Sequence, residues 1–332
     1  MSRISVTLAC GDYDRTEALR TGAVRPEGVD LTYLALPPEE VFYRMLRYRE
    51  FDAAELSLSS YVLNLTRTAD FVAIPVFPSR TFRHNGIYVN AAAGIAEPAD
   101  LVGRLVGVPE YQMTAAVFIR GVLAERHGVP VAAVRYRTGG LHEPGRSEKL
   151  PLPARVAELG IEVEPIGPRR TLAAMLVAGE IDALYSARMP LPFAHGDPSV
   201  RRLFGDPRRV EESYFADTGV FPIMHTVVLR RDVYERRPWL ARSLYKAFDE
   251  ARQQATRMIG ETNALRYSLP WLYDEVERTR AAMGRDFWPY GVDANDVTLR
   301  TFLRYSYEQG LTDRQWEPAE LFAPEALEAF IV

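Results

Sequence analysis

Short apolar segments alternate with helical patterns along almost the whole chain, which is typical of an α/β protein. RISVTLAC (3–10) and VDLTYLAL (29–36) predict two strands, and a polar or proline-led stretch that favours a helix follows each of them. DAAELSLSSYVL (52–63) predicts a third strand that ends in a serine-rich corner. FVAIPVFPSRTFRHNGIYVN (71–90) predicts two strands joined by a basic bend.

A strand-to-helix corner, VPEYQMTAA (108–116), opens the middle of the chain. Apolar residues at helical spacing predict the helix that follows, and Gly128 should end it. The stretch 137–155 is rich in Gly, Pro and charge, so we predict a long loop of the kind that is often functional. The chain then returns to strands and helices, including a helix that Pro238 should open.

The segments near 77–90 and 219–230 look like two passages between units. They predict a discontinuous first lobe, 1–86 plus 226–332, with a second lobe, 87–225, inserted into it. A chain of 332 residues is long enough for two such units. A cleft between the lobes is then the expected ligand site.

Composition and charge exclude several classes of protein. Hydrophobic residues make up 47% and charged residues 25%, as in ordinary globular proteins. The net charge of −4 gives no reason to expect a nucleic-acid partner. No apolar stretch approaches the roughly 20 residues that span a bilayer, and the short apolar run near the N-terminus does not resemble a signal peptide. We therefore expect a cytoplasmic protein with no membrane partner.

The residue types leave few routes to cofactor chemistry. The five histidines are scattered, without the HExxH spacing that places two ligands on one metal, so we predict no metal, although distant residues could still provide ligands. Phosphate-binding glycine loops and a GxSxG elbow are missing. Lys149 and Lys246 are the two lysines, and neither position suits a pyridoxal phosphate Schiff base. We expect no cofactor.

The corner at 108–116 has two interpretations. In the first, Thr114 caps the helix of a simple turn while Tyr111 and Met113 pack. In the second, the unsatisfied backbone N–H groups at the helix start bind an anion, with arginines as neighbours. Nearly all basic residues are arginine, which binds a carboxylate through two parallel hydrogen bonds. We therefore favour a carboxylate ligand.

Several blocks together resemble the 4,5-dihydroxyphthalate decarboxylases, in the same order along nearly the whole chain. They are FRHNGIYVN, GVPEYQMTAAVFIRG, GGLHEPGRSEKL, GEIDALYSAR, TGVFPIMHTVVLRRDVYE and MGRDFWPYG. The resemblance implies a two-lobed type 2 periplasmic-binding-protein fold with two crossing strands and an interlobe cleft. It also implies loss of one carboxylate from 4,5-dihydroxyphthalate to give 3,4-dihydroxybenzoate and CO₂, a step of phthalate degradation and aromatic compound catabolism. From the family likeness we also expect a homo-oligomer.

Such a reaction needs an acid above the ring and a base or hydrogen-bond acceptor at the catechol hydroxyl groups. It also needs cations or amides that bind the retained carboxylate. We cast His84 as the first candidate acid, with His225 or Glu110 as its acid/base partner. The candidates for binding the carboxylate are Arg83, Arg188, Gln112, Met113 and Thr114. The candidates for binding the hydroxyl groups are Tyr13, Asp14 and Ser59.

Two other functions remain open at this point. The same fold commonly captures solutes, so a cytosolic protein that binds an aromatic or other small carboxylate without chemistry is one alternative. A lyase that acts on a related cyclic carboxylic acid is the other.

Overall fold

The computed structural model describes residues 3–327. Its strands are β1 (Ile4–Cys10), β2 (Val29–Ala35), β3 (Ala53–Ser57), β4 (Phe71–Arg80), β5 (Ile87–Asn90), β6 (Leu105–Val108), β7 (Arg135–Thr138), β8 (Val163–Pro165), β9 (Ala183–Tyr185), β10 (Val200–Arg202) and β11 (Ile223–Arg230). Its α-helices are α1 (Asp14–Arg20), α2 (Pro38–Tyr48), α3 (Leu58–Leu65), α4 (Thr114–His127), α5 (Ala154–Glu158), α6 (Leu172–Val177), α7 (Leu191–Ala194), α8 (Pro207–Thr218), α9 (Arg231–Arg236), α10 (Trp239–Ile259), α11 (Leu272–Met283) and α12 (Asp296–Glu308). Short 3₁₀ turns occur at His84–Gly86, Pro98–Leu101, Val131–Ala133, Asp293–Asn295, Pro318–Leu321 and Pro324–Ala326.

Most elements predicted from the alternating pattern are confirmed. β1 and β2 lie where the first two apolar segments stand, and 71–90 forms β4 and β5 with a bend between them. The stretch 139–153 carries no helix or strand, as the loop prediction required. Gly128 ends α4 with a positive φ of 64°, a conformation that glycine adopts without strain.

Helix α3 was not predicted from the pattern of apolar and polar residues. The sequence predicted a serine-rich corner after β3, but the chain enters the helix at once because the Ser57 side chain accepts a hydrogen bond from the backbone N–H of Ser60. Residues 58–64 are all buried, so their sequence lacks the alternation of apolar and polar faces that marks a surface helix.

Helix α10 begins after Pro238 and has the periodicity of a half-buried helix. Leu240, Leu244, Phe248 and Ala251 form its buried face, as the sequence predicted. Its remaining face carries charged residues. Within residues 3–327, no helix combines the length and apolar character that a membrane crossing needs.

The chain divides into two compact units. The first contains 3–80, 225–299 and 317–327, and the second contains 81–224 and 300–316. The chain thus leaves the first unit inside the segment 77–90 and returns inside the segment 219–230. The sequence had assigned 300–316 to the first lobe, whereas in the structure this stretch packs with the second unit. The side chains of Arg120 and Gln309, both fully buried, hold it there through a hydrogen bond of 2.8 Å.

The first unit contains a mixed sheet of order β2-β1-β3-β11-β4. β1 runs parallel to β2 and to β3, whereas β11 runs antiparallel to β3. The carboxyl ends of β1 and β3 and the start of β11 therefore lie at the same edge of the sheet.

The second unit contains a mixed sheet of order β10-β5-β9-β6-β7-β8. β6, β7, β8 and β9 are parallel where they pair, and β5 is antiparallel to β9 and β10. Side chains of α6 and of β5, β9 and β10 contribute to an apolar core cluster of this unit. Together, the two units give the two-lobed α/β fold that the sequence predicted.

Candidate active site

The edge of the first unit's sheet brings a histidine and a buried carboxylate together. In the antiparallel pairing of β3 with β11, His225 lies opposite Ser57, and Glu55 lies opposite Val227. Glu55 and His225 are therefore diagonal neighbours on one face of the sheet, at a spacing that long side chains can bridge.

Glu55 is fully buried, and four polar groups contact its carboxylate. Its Oε1 lies 2.5 Å from His225 Nδ1 and accepts a hydrogen bond of 2.9 Å from the Tyr13 hydroxyl. Its Oε2 accepts 2.8 Å and 3.4 Å bonds from the backbone N–H of Gly11 and the thiol of Cys10. Both oxygens of this carboxylate thus have a hydrogen-bond donor, as a buried charge requires.

These contacts keep Glu55 ionised. Burial by itself would raise the pKa of Glu55, but the charge and hydrogen bond of His225, with the bonds from Gly11 and Tyr13, hold the pKa below its usual value. An ionised carboxylate only accepts hydrogen bonds, so His225 must donate from Nδ1. The other ring nitrogen, Nε2, is then the one that can gain or lose a proton.

The surroundings of His225 fix its ring but leave it reachable. The ring of Phe42 contacts it edge to face, with the centroids 4.8 Å apart, and the His225 side chain is 19% exposed. Gly11 is required nearby because a Cβ atom there would lie 2.4 Å from the ring of Tyr13. The absence of a side chain at Gly11 lets Tyr13 reach Glu55.

The other predicted residues of the first unit lie in different settings. Asp14 accepts hydrogen bonds from the backbone N–H and the guanidinium of Arg15, at 2.7 Å and 3.0 Å. Ser59 is buried within α3. The structure thus brings Tyr13 together with His225, engages Asp14 with Arg15 and packs Ser59 in the interior of the unit.

His84, in the second unit, is buried among aromatic rings. Its Nδ1 lies 4.0 Å from Glu211, and its ring contacts those of Tyr214 and Phe204. Burial, helped by the positive charge of His127, lowers the pKa of His84 to about 4. His84 is therefore neutral at neutral pH and lacks the proton that a general acid must give.

His84 lies near the C-terminal end of α4, whereas the corner at 108–116 precedes its N-terminal end. The ring of Phe204 contacts both His84 and His127, the last residue of α4. The corner precedes Thr114, the first residue of this 14-residue helix, so about 20 Å of helix separates its two ends. The structure does not bring His84 together with the corner residues.

Glu110, in the corner, is tied to two cations of the long loop. The carboxylate is buried and accepts bonds of 2.9 Å and 2.6 Å from the guanidinium of Arg146, and it also pairs with the ammonium of Lys149. Glu110 therefore lies beside the corner amides as part of an ion-pair cluster with Arg146 and Lys149.

The amides of the corner hold a carboxylate from the chain itself. Glu148 accepts hydrogen bonds from the backbone N–H groups of Tyr111 and Gln112, at 2.5 Å and 3.4 Å. Met113 is the N-cap of α4 and gives no side-chain cap, so the interpretation in which Thr114 caps the helix is wrong. The corner does bind an anion, and that anion belongs to the loop 139–153.

Arg83 and Arg188 lie around one turn after β9. Arg83 donates to the backbone oxygen of Ala187 at 3.4 Å, and Arg188 is the next residue along the chain. Burial lowers the pKa of Arg83 to about 10, a value at which it still carries its charge at neutral pH. These two arginines lie near each other, with Arg188 exposed.

Sequence reasoning missed Glu55, the residue that organises the site. A signal was present, since Glu55 is a single carboxylate inside the short strand AAELS, whose five residues are all buried. A charge at such a position needs partners. Within the part of the chain that the structure describes, no group of three or more His, Cys, Asp or Glu side chains could hold a metal ion.

We expect removal of the Glu148 carboxylate to release the loop 139–153 from the corner. Glu148→Ala deletes both bonds to the backbone amides, and a hydrogen bond to a charged group stabilises by about 1.5–3 kcal/mol. Trypsin cleaves after Arg146 and Lys149, and cleavage at these two bonds, followed by fragment mass, should accelerate about tenfold. Glu143→Ala, an exposed position in the same loop, should be cleaved like the wild type. Equal rates in Glu148→Ala and wild type would contradict this account.

The same experiment has a predicted pH dependence. Burial and the negative charge of Glu110 together raise the pKa of Glu148 to about 7, against the lowering effect of the bonds from the amides. The docked loop therefore binds a proton more tightly than the released loop, so docking is strongest in acid and weakens as the pH rises through about 7. The ratio of cleavage rates between Glu148→Gln, which cannot titrate, and wild type should fall between pH 6 and pH 8. A constant ratio would contradict the assigned pKa.

A known protein is similar to this chain over almost its whole length. No family model matches it. A 4,5-dihydroxyphthalate decarboxylase of Comamonas testosteroni is 40% identical over 331 residues, which is 99% of each chain. A 4,5-dihydroxyphthalate decarboxylase of Pseudomonas putida is 42% identical over 218 residues, which is 65% of this chain and 83% of the relative.

Solved structures support the fold. The periplasmic aliphatic sulphonate-binding protein of Escherichia coli superposes with a TM-score of 0.53 at 14% identity, over 98% of this chain and 99% of that one. The desulfurization enzyme DszB superposes with a TM-score of 0.55 at 15% identity, over 98% of each chain. At such low identity these matches establish a periplasmic-binding-protein-like fold and nothing about the ligand. The full-length similarity to the Comamonas protein establishes that the chain belongs to the 4,5-dihydroxyphthalate decarboxylase family.

Proposed function

We propose that the protein removes one carboxylate from 4,5-dihydroxyphthalate, giving 3,4-dihydroxybenzoate and CO₂, with His225 as the proton donor. The family relationship supports the substrate. The observation that carries the chemistry is the pair of His225 and Glu55, which holds a histidine in one tautomer at an accessible sheet edge.

The reaction needs a proton at the ring carbon that bears the departing carboxylate. The hydroxyl group para to this carbon pushes electron density toward it. Protonation there is followed by cleavage of the carbon–carbon bond, whose electron pair restores the aromatic ring as CO₂ leaves. One proton is consumed for each CO₂ released, so the donor must be recharged from water before the next turnover.

His225 suits the role of this donor. The imidazolium form carries protons on both nitrogens, and Glu55 stabilises its positive charge through Nδ1. Donation from Nε2 leaves a neutral ring whose Nδ1–H still bonds to Glu55, so the ring does not turn during the reaction. Tyr13 lies beside the pair, with an oxygen that can accept from a substrate hydroxyl group because its own proton is directed to Glu55.

The geometry favours His225 over the other candidate acids. His84 is buried with its pKa lowered to about 4, so it carries no proton to donate at neutral pH. The Glu110 carboxylate is engaged by both Arg146 and Lys149. A cytoplasmic location, a homo-oligomeric state and independence from metal ions stay predictions.

Turnover can be tested directly. The purified protein is incubated with 4,5-dihydroxyphthalate and a panel of hydroxybenzoates, and CO₂ release and ring absorbance are followed with and without a chelator. We expect stoichiometric CO₂ and 3,4-dihydroxybenzoate from 4,5-dihydroxyphthalate, unaffected by the chelator. Binding without turnover would instead support a carrier, and loss of turnover in the chelator would show a metal requirement.

The proton donor can be identified by substitution. We expect His225→Gln to lower kcat about 100-fold or more, because general acid catalysis contributes about 10²–10⁴-fold. His195→Gln, which follows α7 in an exposed position, is the matched control and should keep the wild-type kcat. A normal kcat for His225→Gln, with the loss found in His84→Gln instead, would transfer the role to His84.

A further inference from the structure

Arg15 is held rigidly in the first unit by two aromatic rings. Its guanidinium carbon lies 4.2 Å from the ring centre of Tyr13 and 4.5 Å from that of Trp288. The indole N–H of Trp288 donates to the backbone oxygen of Phe77 at 2.9 Å, which fixes the second ring. Arginine stacks on aromatic faces in this way, and its planar group keeps its edges available for hydrogen bonds.

The edges of the guanidinium are partly occupied. Nε donates to the backbone oxygen of Pro78 at 2.6 Å, and Nη1 donates to Asp14 at 3.0 Å. Among the residues the structure describes, Nη2 has no hydrogen-bond acceptor. The Arg15 side chain is 19% exposed, so a ligand can reach this oriented guanidinium group.

Tyr13 connects this cation to the proposed proton donor. Its ring lies against Arg15, and its hydroxyl group donates to the same Glu55 oxygen that His225 contacts. One side chain thus spans the space between a preorganised positive charge and the histidine pair. A flat ligand beside Tyr13 would have the cation near one end and His225 near the other.

We propose that Arg15 binds the carboxylate that the substrate retains and thereby orients the aromatic ring beside Tyr13 and His225. The inference rests on the proposed function. A cation at the departing carboxylate would stabilise its charge and oppose the loss of CO₂, whereas a cation at the retained carboxylate orients the ring without that cost. Guanidinium recognises a carboxylate through two parallel N–H bonds, which Nη2 and the second N–H of Nη1 can supply, since the single N–H of Nε is bonded to Pro78.

Kinetics of Arg15 variants test this role. Arg15→Met removes the charge and Arg15→Lys keeps it without the planar fork. We expect KM for 4,5-dihydroxyphthalate to rise about 10- to 100-fold in Arg15→Met, since a hydrogen bond to a charged group contributes about 1.5–3 kcal/mol. Arg15→Lys should show a smaller rise, and kcat should change less than KM in both. Arg20 lies in the same helix as Arg15, and Arg20→Met, which loses a surface ion pair with Asp12, is the matched control and should keep the wild-type KM.

Binding measurements separate this proposal from the proposed function. Calorimetric titration uses phthalate, which has both carboxylates and no hydroxyl group, and catechol, which has both hydroxyl groups and no carboxylate. We expect Arg15→Met to weaken phthalate binding at least tenfold and to leave catechol binding unchanged.

Unchanged phthalate binding in both Arg15 variants, or equal weakening of both ligands, would overturn the role of Arg15. Selective loss of phthalate binding with no CO₂ release by the wild type would support Arg15 while refuting the decarboxylase proposal. Thermal unfolding of Arg15→Lys at the wild-type temperature would show that the variant is folded.

Discussion

The buried carboxylate of Glu55 is the constraint on which the candidate site depends. A charge with no exposed surface must be matched by donors, and the fold supplies them from two sequence-distant places: the end of β1 with the turn after it, and β11. These donors include Gly11, whose missing side chain admits Tyr13, and His225, whose tautomer follows from the charge of Glu55. Replacing one partner therefore disturbs the orientation of the others.

The second unit also holds carboxylates that are matched by hydrogen-bond donors and cations. The amides of Tyr111 and Gln112 form an anion site at the start of α4, and the loop 139–153 fills it with Glu148. Arg146 and Lys149, which flank Glu148 in sequence, neutralise Glu110. A single short stretch of the loop thus supplies both the anion for the corner amides and the cations for the corner carboxylate.

Local patterns in the sequence account for much of the fold. Alternating strands, the glycine after α4 and the apolar stripe of α10 were predicted because each depends on residues close together in the chain. Helix α3 was not predicted, since a helix that is buried on all sides has no polar face to reveal its period. The place of 300–316 was also missed, because the bond between Arg120 and Gln309 joins positions that no local pattern relates.

The site was predicted in its chemistry better than in its geometry. His225 and Tyr13 were chosen for their residue types and for their positions at the edges of predicted elements, and they do lie in one cluster. Glu55 could not be linked to them, because the link is a strand register that aligns Ser57 with His225. Glu110 was selected because a carboxylate beside an anion site can carry a proton, but it pairs with Arg146 and Lys149, which come from a loop whose course the sequence does not specify.

The most direct test of the central claim is the protonation pattern of His225, measured by ¹⁵N NMR of histidine-labelled protein and assigned by the signal that His225→Gln removes. We predict a proton on Nδ1 at low field, in a strong hydrogen bond to the Glu55 carboxylate. In Glu55→Gln this low-field proton should disappear. A neutral His225 protonated on Nε2 in the wild type, or a spectrum unchanged by Glu55→Gln, would contradict the account.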